Sequence, residues 1–250
     1  VSGVAKLSPL ESFKANMEDA HHLVRLAEGF TNQRAYRMRR ELRERVGDAM
    51  RIPAKQRGEL DCLESGDVLV VFKPGSGLSR AHFSDHKPLL RQALVAACAA
   101  TETYLSDKAI ERAGVLLRAN MSATDRMRKV PLTVGDWLDI ETDYQRRRRG
   151  LRERVMVRHI NELASTSPSK LGELLSLIGI TKWTNQMDHH RKVPKGTSFD
   201  LLERITKRRN KIVHTGDRHG RGRAPLTVTE VKQDLEALES VVEALEAMIA

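Results

Sequence analysis

Aromatic residues are scarce in this 250-residue chain: five Phe, three Tyr and two Trp make up 4% of it. Folds that bind RNA by stacking bases on exposed rings, such as the RRM and OB types, depend on those side chains and are poorly supported. Cysteine is nearly absent. Cys62 and Cys98 each stand alone, which excludes a disulfide framework and a Cys-x-x-Cys metal site and suits the cytoplasm. No apolar run approaches the roughly 20 residues that span a bilayer, so no membrane partner is expected. The first residues lack a basic segment followed by an apolar stretch and a small-residue cleavage site, so secretion is not expected. Acidic side chains are outnumbered, with 33 Asp and Glu against 43 Lys and Arg, a formal net charge of +10.

What the chain does have is arginine and helical periodicity. An arginine-rich excess of positive charge favours polyanionic partners, through phosphate contact and counterion release. The alternative is a solvated surface kept soluble by charge. Ser8-Pro9-Leu10-Glu11 reads as a capped helix start, followed by Phe13, Met17, Leu23, Leu26 and Phe30 on a loosely apolar face. A basic helical stretch over 32–52 ends at Pro53. Residues 53–84 are punctuated by Gly58, Gly66, Pro74, Gly75 and Gly77 and hold one strand candidate, Val68 to Phe72, without a clear partner. Gly75-Ser76-Gly77 lacks the Gly-Lys-Ser/Thr ending of a phosphate-binding loop. The stretch reads as a junction between an N-terminal helical region, 1–80, and a main domain, 81–250.

From Asp85 onward the pattern is helical. One helix over 85–105 is apolar on several faces, as in a bundle, and a second covers 107–120. A long helix is expected from Asp136 or Glu141, through Arg146 to Arg149, as far as Leu163. Ser167-Pro168 starts a short helix that Gly179 stops, and Asp200 opens a helix that Gly216 closes. Thr227 and Glu230 form a capping box ahead of the stripe Val231, Leu235, Leu238, Val242, Leu245, Ile249. The expected class is all-α, an antiparallel helical bundle with an N-terminal helical extension and at most one short strand or hairpin.

The chemistry concentrates in the helix opened by Asp200. At about 100° per residue, Leu201, Leu202, Ile205, Ile212 and Val213 share one sector, and Arg209 falls inside it. A buried guanidinium needs a carboxylate, a phosphate or an opening in the core. The alternative is an arginine that reaches solvent from the edge of the stripe. Asn210 and His214 share a face, and histidine is the natural proton-transfer group near neutral pH.

The segment Arg209-Asn210-Lys211-Ile212-Val213-His214 resembles the signature of HEPN ribonucleases: an Arg followed by a polar residue, then a His, at the end of a helix that precedes the last helix of an all-α bundle. The likeness is to toxin-like and phage-defence HEPN proteins and covers roughly residues 85–250. It implies metal-independent, cofactor-free RNA cleavage, in which a ribose 2′-OH attacks the adjacent phosphate. On that likeness Arg209 holds the phosphate, His214 is general base or acid, and Asn210 positions neighbouring groups. It also implies a homodimer with the two motifs facing one another, and for toxins an antitoxin or regulatory partner. A dimer would answer a geometric difficulty, because Arg209 and His214 lie about 140° apart on an ideal helix. A non-catalytic HEPN module binding RNA or nucleotide is the nearest alternative. A helical DNA-binding or protein-interaction domain is another, although no persuasive helix-turn-helix is found.

Glu102 lies in line with Arg91, Val95 and Cys98 and reads first as an ordinary surface glutamate. Related domains often place an acidic or polar residue on an early helix near the motif arginine, and a carboxylate there would solve the burial of Arg209. Lys207, Arg208 and Lys211 flank the motif. Arg218, Arg221 and Arg223 follow it in a Gly-rich loop, so these six are the candidate RNA contacts. Residues 146–158, with seven arginines, are equally readable as a solvated face. His189, His190 and His219 have no helix-compatible metal spacing, and no Gly-x-Ser-x-Gly elbow exists, so neither a zinc site nor a serine hydrolase is expected.

Overall fold

A computed structural model describes residues 7–31, 40–49, 51–59, 85–118, 124–142 and 148–249. Helix α1, Pro9–Thr31, starts as its sequence dictates. The Ser8 backbone N–H and hydroxyl both donate to Glu11 at 2.8 Å, and the Glu11 N–H returns a bond to Ser8 at 3.3 Å. This capping box satisfies two of the helix's orphan donors. The face that α1 buries is Phe13, Met17, Ala20, Val24 and Ala27, whereas Leu26 is exposed. Small alanines at the contact let a neighbouring helix approach closely, which bulk alone does not reveal.

That neighbour is α3, Lys87–Arg118, where two helices were expected. Nothing breaks it near residue 106: no Gly or Pro intervenes, and the Ser106 hydroxyl bonds Asn161 at 2.5 Å instead of its own backbone. Between α1 and α3 lies α2, Arg40–Ala49, which ends four residues before Pro53 and packs on a 3₁₀ turn, Ala54–Glu59. Arg57 ties the two together through Glu44 (2.5 Å), Asp48 (2.7 Å) and the Ile52 carbonyl (2.9 Å). The strand candidate Val68 to Phe72 lies outside the described residues.

After α3 come α4, Asp125–Arg128, α5, Val134–Thr142, and α6, Arg148–Leu163. A single helix had been expected across 136–163. Had it been continuous, Asp136 and Arg158 would stand about 33 Å apart. Instead Arg158 grips Asp136 with two bonds, 2.8 and 2.6 Å, so α5 folds back on α6. The short helices α7, Pro168–Leu177, and α8, Trp183–Arg191, lead to α9, Thr197–Thr215. Strands β1, Arg218–His219, and β2, Gly222–Arg223, form a hairpin before α10, Val228–Ile249.

Side-chain links give the directions of the main helices. His21 meets Glu239 at 2.9 Å and Lys232 meets Glu28 at 2.8 Å, so α1 and α10 run antiparallel. Tyr104 and Lys108 both meet Glu246, and Arg91 meets the segment just before α10, so α3 and α10 run parallel. Arg209 meets Glu102 while Asp217 meets Arg91, so α9 runs against α3. The four make an up-down-up-down bundle, and the described residues are all-α apart from the hairpin. The α10 stripe is buried in full, and its side chains share one core with α1, α3 and α9. Each fully buried Leu or Val adds about 1.5–3 kcal/mol. Helix α1 is thus part of the bundle core, although a boundary near residue 80 set it apart. Among the described residues no helix is long and apolar enough to cross a membrane.

Candidate active-site cluster at the end of helix α9

Helix α9 begins at Thr197, three residues before the expected start, because it is capped from another helix. The Asp188 carboxylate of α8 accepts the N–H groups of Gly196 (2.7 Å) and Ser198 (2.9 Å), and Gly196 turns into the helix at φ +89°. Burial pushes the Asp188 carboxyl up, but the bonds from Ser198 and Gly196 prevail and hold it below the usual range. The helix ends where expected. Gly216 takes φ +60°, its N–H reaches the Ile212 carbonyl at 3.1 Å, and the Asp217 N–H reaches Lys211 at 2.9 Å. A left-handed residue just past a helix closes its last carbonyls in this way.

Between those ends α9 buries Ser198, Leu202, Ile205, Thr206 and Ile212. Arg209 lies in the same sector, and its side chain keeps 21% exposure. Its guanidinium pairs with Glu102 of α3 through Nη2 and donates from Nη1 to Asn210 Oδ1 at 3.0 Å. Glu102 is held in turn: Oε1 also accepts from the Ser165 hydroxyl (3.4 Å) and the Thr166 N–H (3.3 Å). Glu102 is therefore the partner of the motif arginine and not a plain surface side chain. One turn before it, Cys98 is buried, and burial pushes its thiol up to about 12 even beside Arg209. It is a neutral packing group and not a thiolate nucleophile.

His214 stands in the last turn of α9, exposed to solvent, and its ring has no hydrogen-bond or ion-pair partner among the described residues. Arg209, Asn210 and Glu102 thus form one cluster; His214, one turn beyond Asn210, makes no bond to it and points about 140° away from Arg209 on an ideal helix. Val213 (54% exposed), next to His214, and Phe199 (40%), in the first turn about 21 Å away along the helix, are exposed apolar side chains. Among the described residues no three His, Cys, Asp or Glu side chains gather to hold a metal ion.

The flanking cations divide. Lys207 is exposed and pairs with Glu203 at 3.1 Å, and Lys211 is exposed. Both line a shallow groove of about 360 Å³ on the outer face of α9, with Asp200, Glu203, Arg204 and Arg208; the groove includes neither Arg209 nor His214. Arg218, Arg221 and Arg223 are exposed on the hairpin. Arg208, grouped by sequence with these cations, is otherwise occupied: Nη2 donates to buried Asp217 (2.7 Å) and to the Pro225 carbonyl (2.9 Å). Of the basic run, Arg146 and Arg147 lie outside the described residues, Arg154 is exposed, and Arg158 is taken by Asp136.

Sequence reasoning passed over Arg91 and Asp217. Arg91 is buried on α3 among Leu90, Ala93 and Leu94, and its Nε meets Asp217 at 3.0 Å. The signal that singled out Arg209, a guanidinium on an apolar stripe, was present at Arg91 as well. Asp188, Ser165 and Thr166 gave no such signal, because their roles depend on which helices meet. The chain matches no protein-family model, no curated protein and no solved structure.

Proposed function

We propose that this protein is a metal-independent RNA endonuclease of the HEPN class that works as a homodimer in the cytoplasm, as a toxin or anti-phage effector. The observation that carries the reading is the state of the motif arginine. Arg209 sits on the bundle-facing side of α9, oriented by Glu102 and Asn210, yet stays partly open. A guanidinium oriented in that way suits a phosphate that gains charge in a pentacoordinate transition state. His214 is exposed and unengaged, free to take or give a proton. In the proposed reaction the ribose 2′-oxygen attacks phosphorus and gives up its proton to a base, and the bond to the 5′-oxygen breaks. The products are a 2′,3′-cyclic phosphate and a 5′-OH, with the leaving oxygen protonated by an acid.

Within one chain the two groups do not converge, and a second α9 facing the first would supply the missing side chain. The exposed Val213, next to His214, supplies apolar area for such a contact. The test is incubation of purified protein with RNA in EDTA. Wild type cuts and leaves cyclic-phosphate ends, whereas folded Arg209→Ala and His214→Ala variants do not. Activity that is lost in EDTA and restored by Mg²⁺ would overturn the mechanism. A second reading, a non-catalytic module that binds RNA, is favoured by the occupation of Arg209 by Glu102; RNA binding without any cleavage would select it.

A further inference from the structure

The loop after the motif is a built element. Asp217 and Ala224 bracket the hairpin, and hydrogen bonds join its two ends, one directly and the others through Arg91 and Arg208. The Ala224 N–H donates to the Asp217 carbonyl at 2.9 Å. Arg91 of α3 donates to Asp217 Oδ2 and to the Ala224 carbonyl, both at 3.0 Å. Arg208 of α9 donates to the same Asp217 oxygen at 2.7 Å and to the Pro225 carbonyl at 2.9 Å. Asp217 is fully buried and Arg91 nearly so, and two guanidiniums on one carboxylate leave an excess positive charge at the base of the ribbon. Asp217 reaches this position at φ +62°, a backbone region that Asp and Asn tolerate better than most residues.

The ribbon on this base is electrostatically frustrated. Arg218 pairs directly with Arg223 across it, and Arg221 lies in the turn beside Gly220 at φ +58°. Like charges directly opposite destabilise a strand pair, and an isolated two-stranded hairpin is marginal in water. A fold that spends a buried ion network on holding three exposed arginines together has an arrangement that a polyanion relieves.

We infer that the Arg218–Arg223 ribbon is a rigid phosphate-backbone contact for the RNA, and that Arg91 and Asp217 are its positioning residues. The inference rests on RNA as the substrate class proposed above. Arg218, Arg221 and Arg223 meet backbone phosphates a few residues from His214, while Arg208 belongs to the clamp and meets none.

Fluorescence anisotropy with a labelled single-stranded RNA, across a salt series and with all variants on a His214→Ala background, separates binding from cleavage. Arg218→Glu with Arg223→Glu is expected to weaken binding at least tenfold and to reduce the salt slope by about 1.4, the loss of two phosphate contacts. The same charge change at exposed Arg126 and Arg128 of α4 is expected to stay within twofold of the parent affinity. Asp217→Asn keeps the left-handed backbone but removes the shared charge. It is expected to speed amide hydrogen exchange in 217–224 and to weaken binding while the bundle amides stay protected. Equal losses from the ribbon and α4 variants would overturn the inference, as would displacement of RNA by polyglutamate at equal charge concentration. Ribbon-specific RNA binding by a protein whose His214 form never cuts would leave it standing and overturn the proposed nuclease.

Discussion

Two arginines, the buried Arg91 and the partly open Arg209, carry most of the consequence at the scale of single residues. Each sits on an apolar helix face and each is paired with a carboxylate distant in sequence, Arg209 with Glu102 of α3 and Arg91 with Asp217 in the loop after α9. Removing one partner of a buried pair costs far more than the pair contributes, because the remaining charge is stranded. Asp217→Ala strands two guanidiniums and is expected to destabilise the fold by about 3–5 kcal/mol. For a chain of this size that lowers Tm by about 6–20 °C, readable by calorimetry. Glu102 is more exposed, so Glu102→Gln is expected to leave Tm within a few degrees. It frees Arg209 to leave its orientation, and under the proposed function it lowers RNA cleavage at least tenfold in a single-turnover assay. Unchanged cleavage would show that Arg209 needs no orienting carboxylate.

Among the elements, helix ends are set by two kinds of cap. Thr227 and Glu230 cap α10 from neighbouring positions: the Thr227 N–H donates at 2.8 Å and its hydroxyl accepts the Glu230 N–H at 3.2 Å. That reciprocity is local, and it was legible as a Thr-x-x-Glu pattern. Thr227→Ala is expected to cost about 1 kcal/mol in denaturant unfolding. The cap of α9 is remote, with Asp188 reaching from α8 to Gly196 and Ser198, and no pattern around residue 197 announces it. Its carboxyl lies below the ordinary value of 3.8 when folded. A depressed carboxyl contributes stability that is present above its unfolded value and lost as pH falls through its folded one. Wild type is therefore expected to lose stability below about pH 4, and Asp188→Asn is expected to lower stability at pH 7 and to flatten that acid limb. An acid limb unchanged in the variant would remove Asp188 from the cap.

At the scale of the whole molecule, the bundle leaves the end of its motif helix with an uncovered apolar side chain at its edge, Val213, next to His214. Under the proposed function a second copy covers the edge and completes the site. Light scattering on RNA-free protein is expected to give a dimer. Val213→Glu is expected to give a folded monomer that no longer cuts RNA, because a charge at the contact is desolvated without a partner. A Val213→Glu monomer that cuts at the wild-type rate would show that one motif suffices.

The sequence by itself determined the helical class, both capping boxes, the end of α9 at Gly216 and the α10 stripe. Each rests on residues within a turn or two of one another, where backbone geometry is local. It also marked Arg209, since a charge on an apolar face is visible without neighbours. Only the tertiary structure decided that α3 is one helix, that α5 folds back on α6, and that Phe13, Met17, Ala20, Val24 and Ala27 are the face α1 buries. It alone chose Glu102 for Arg209, Asp188 for α9, and Arg91 with Arg208 for Asp217. Those choices join residues up to 126 positions apart, and such pairs form only when packing brings separate helices together.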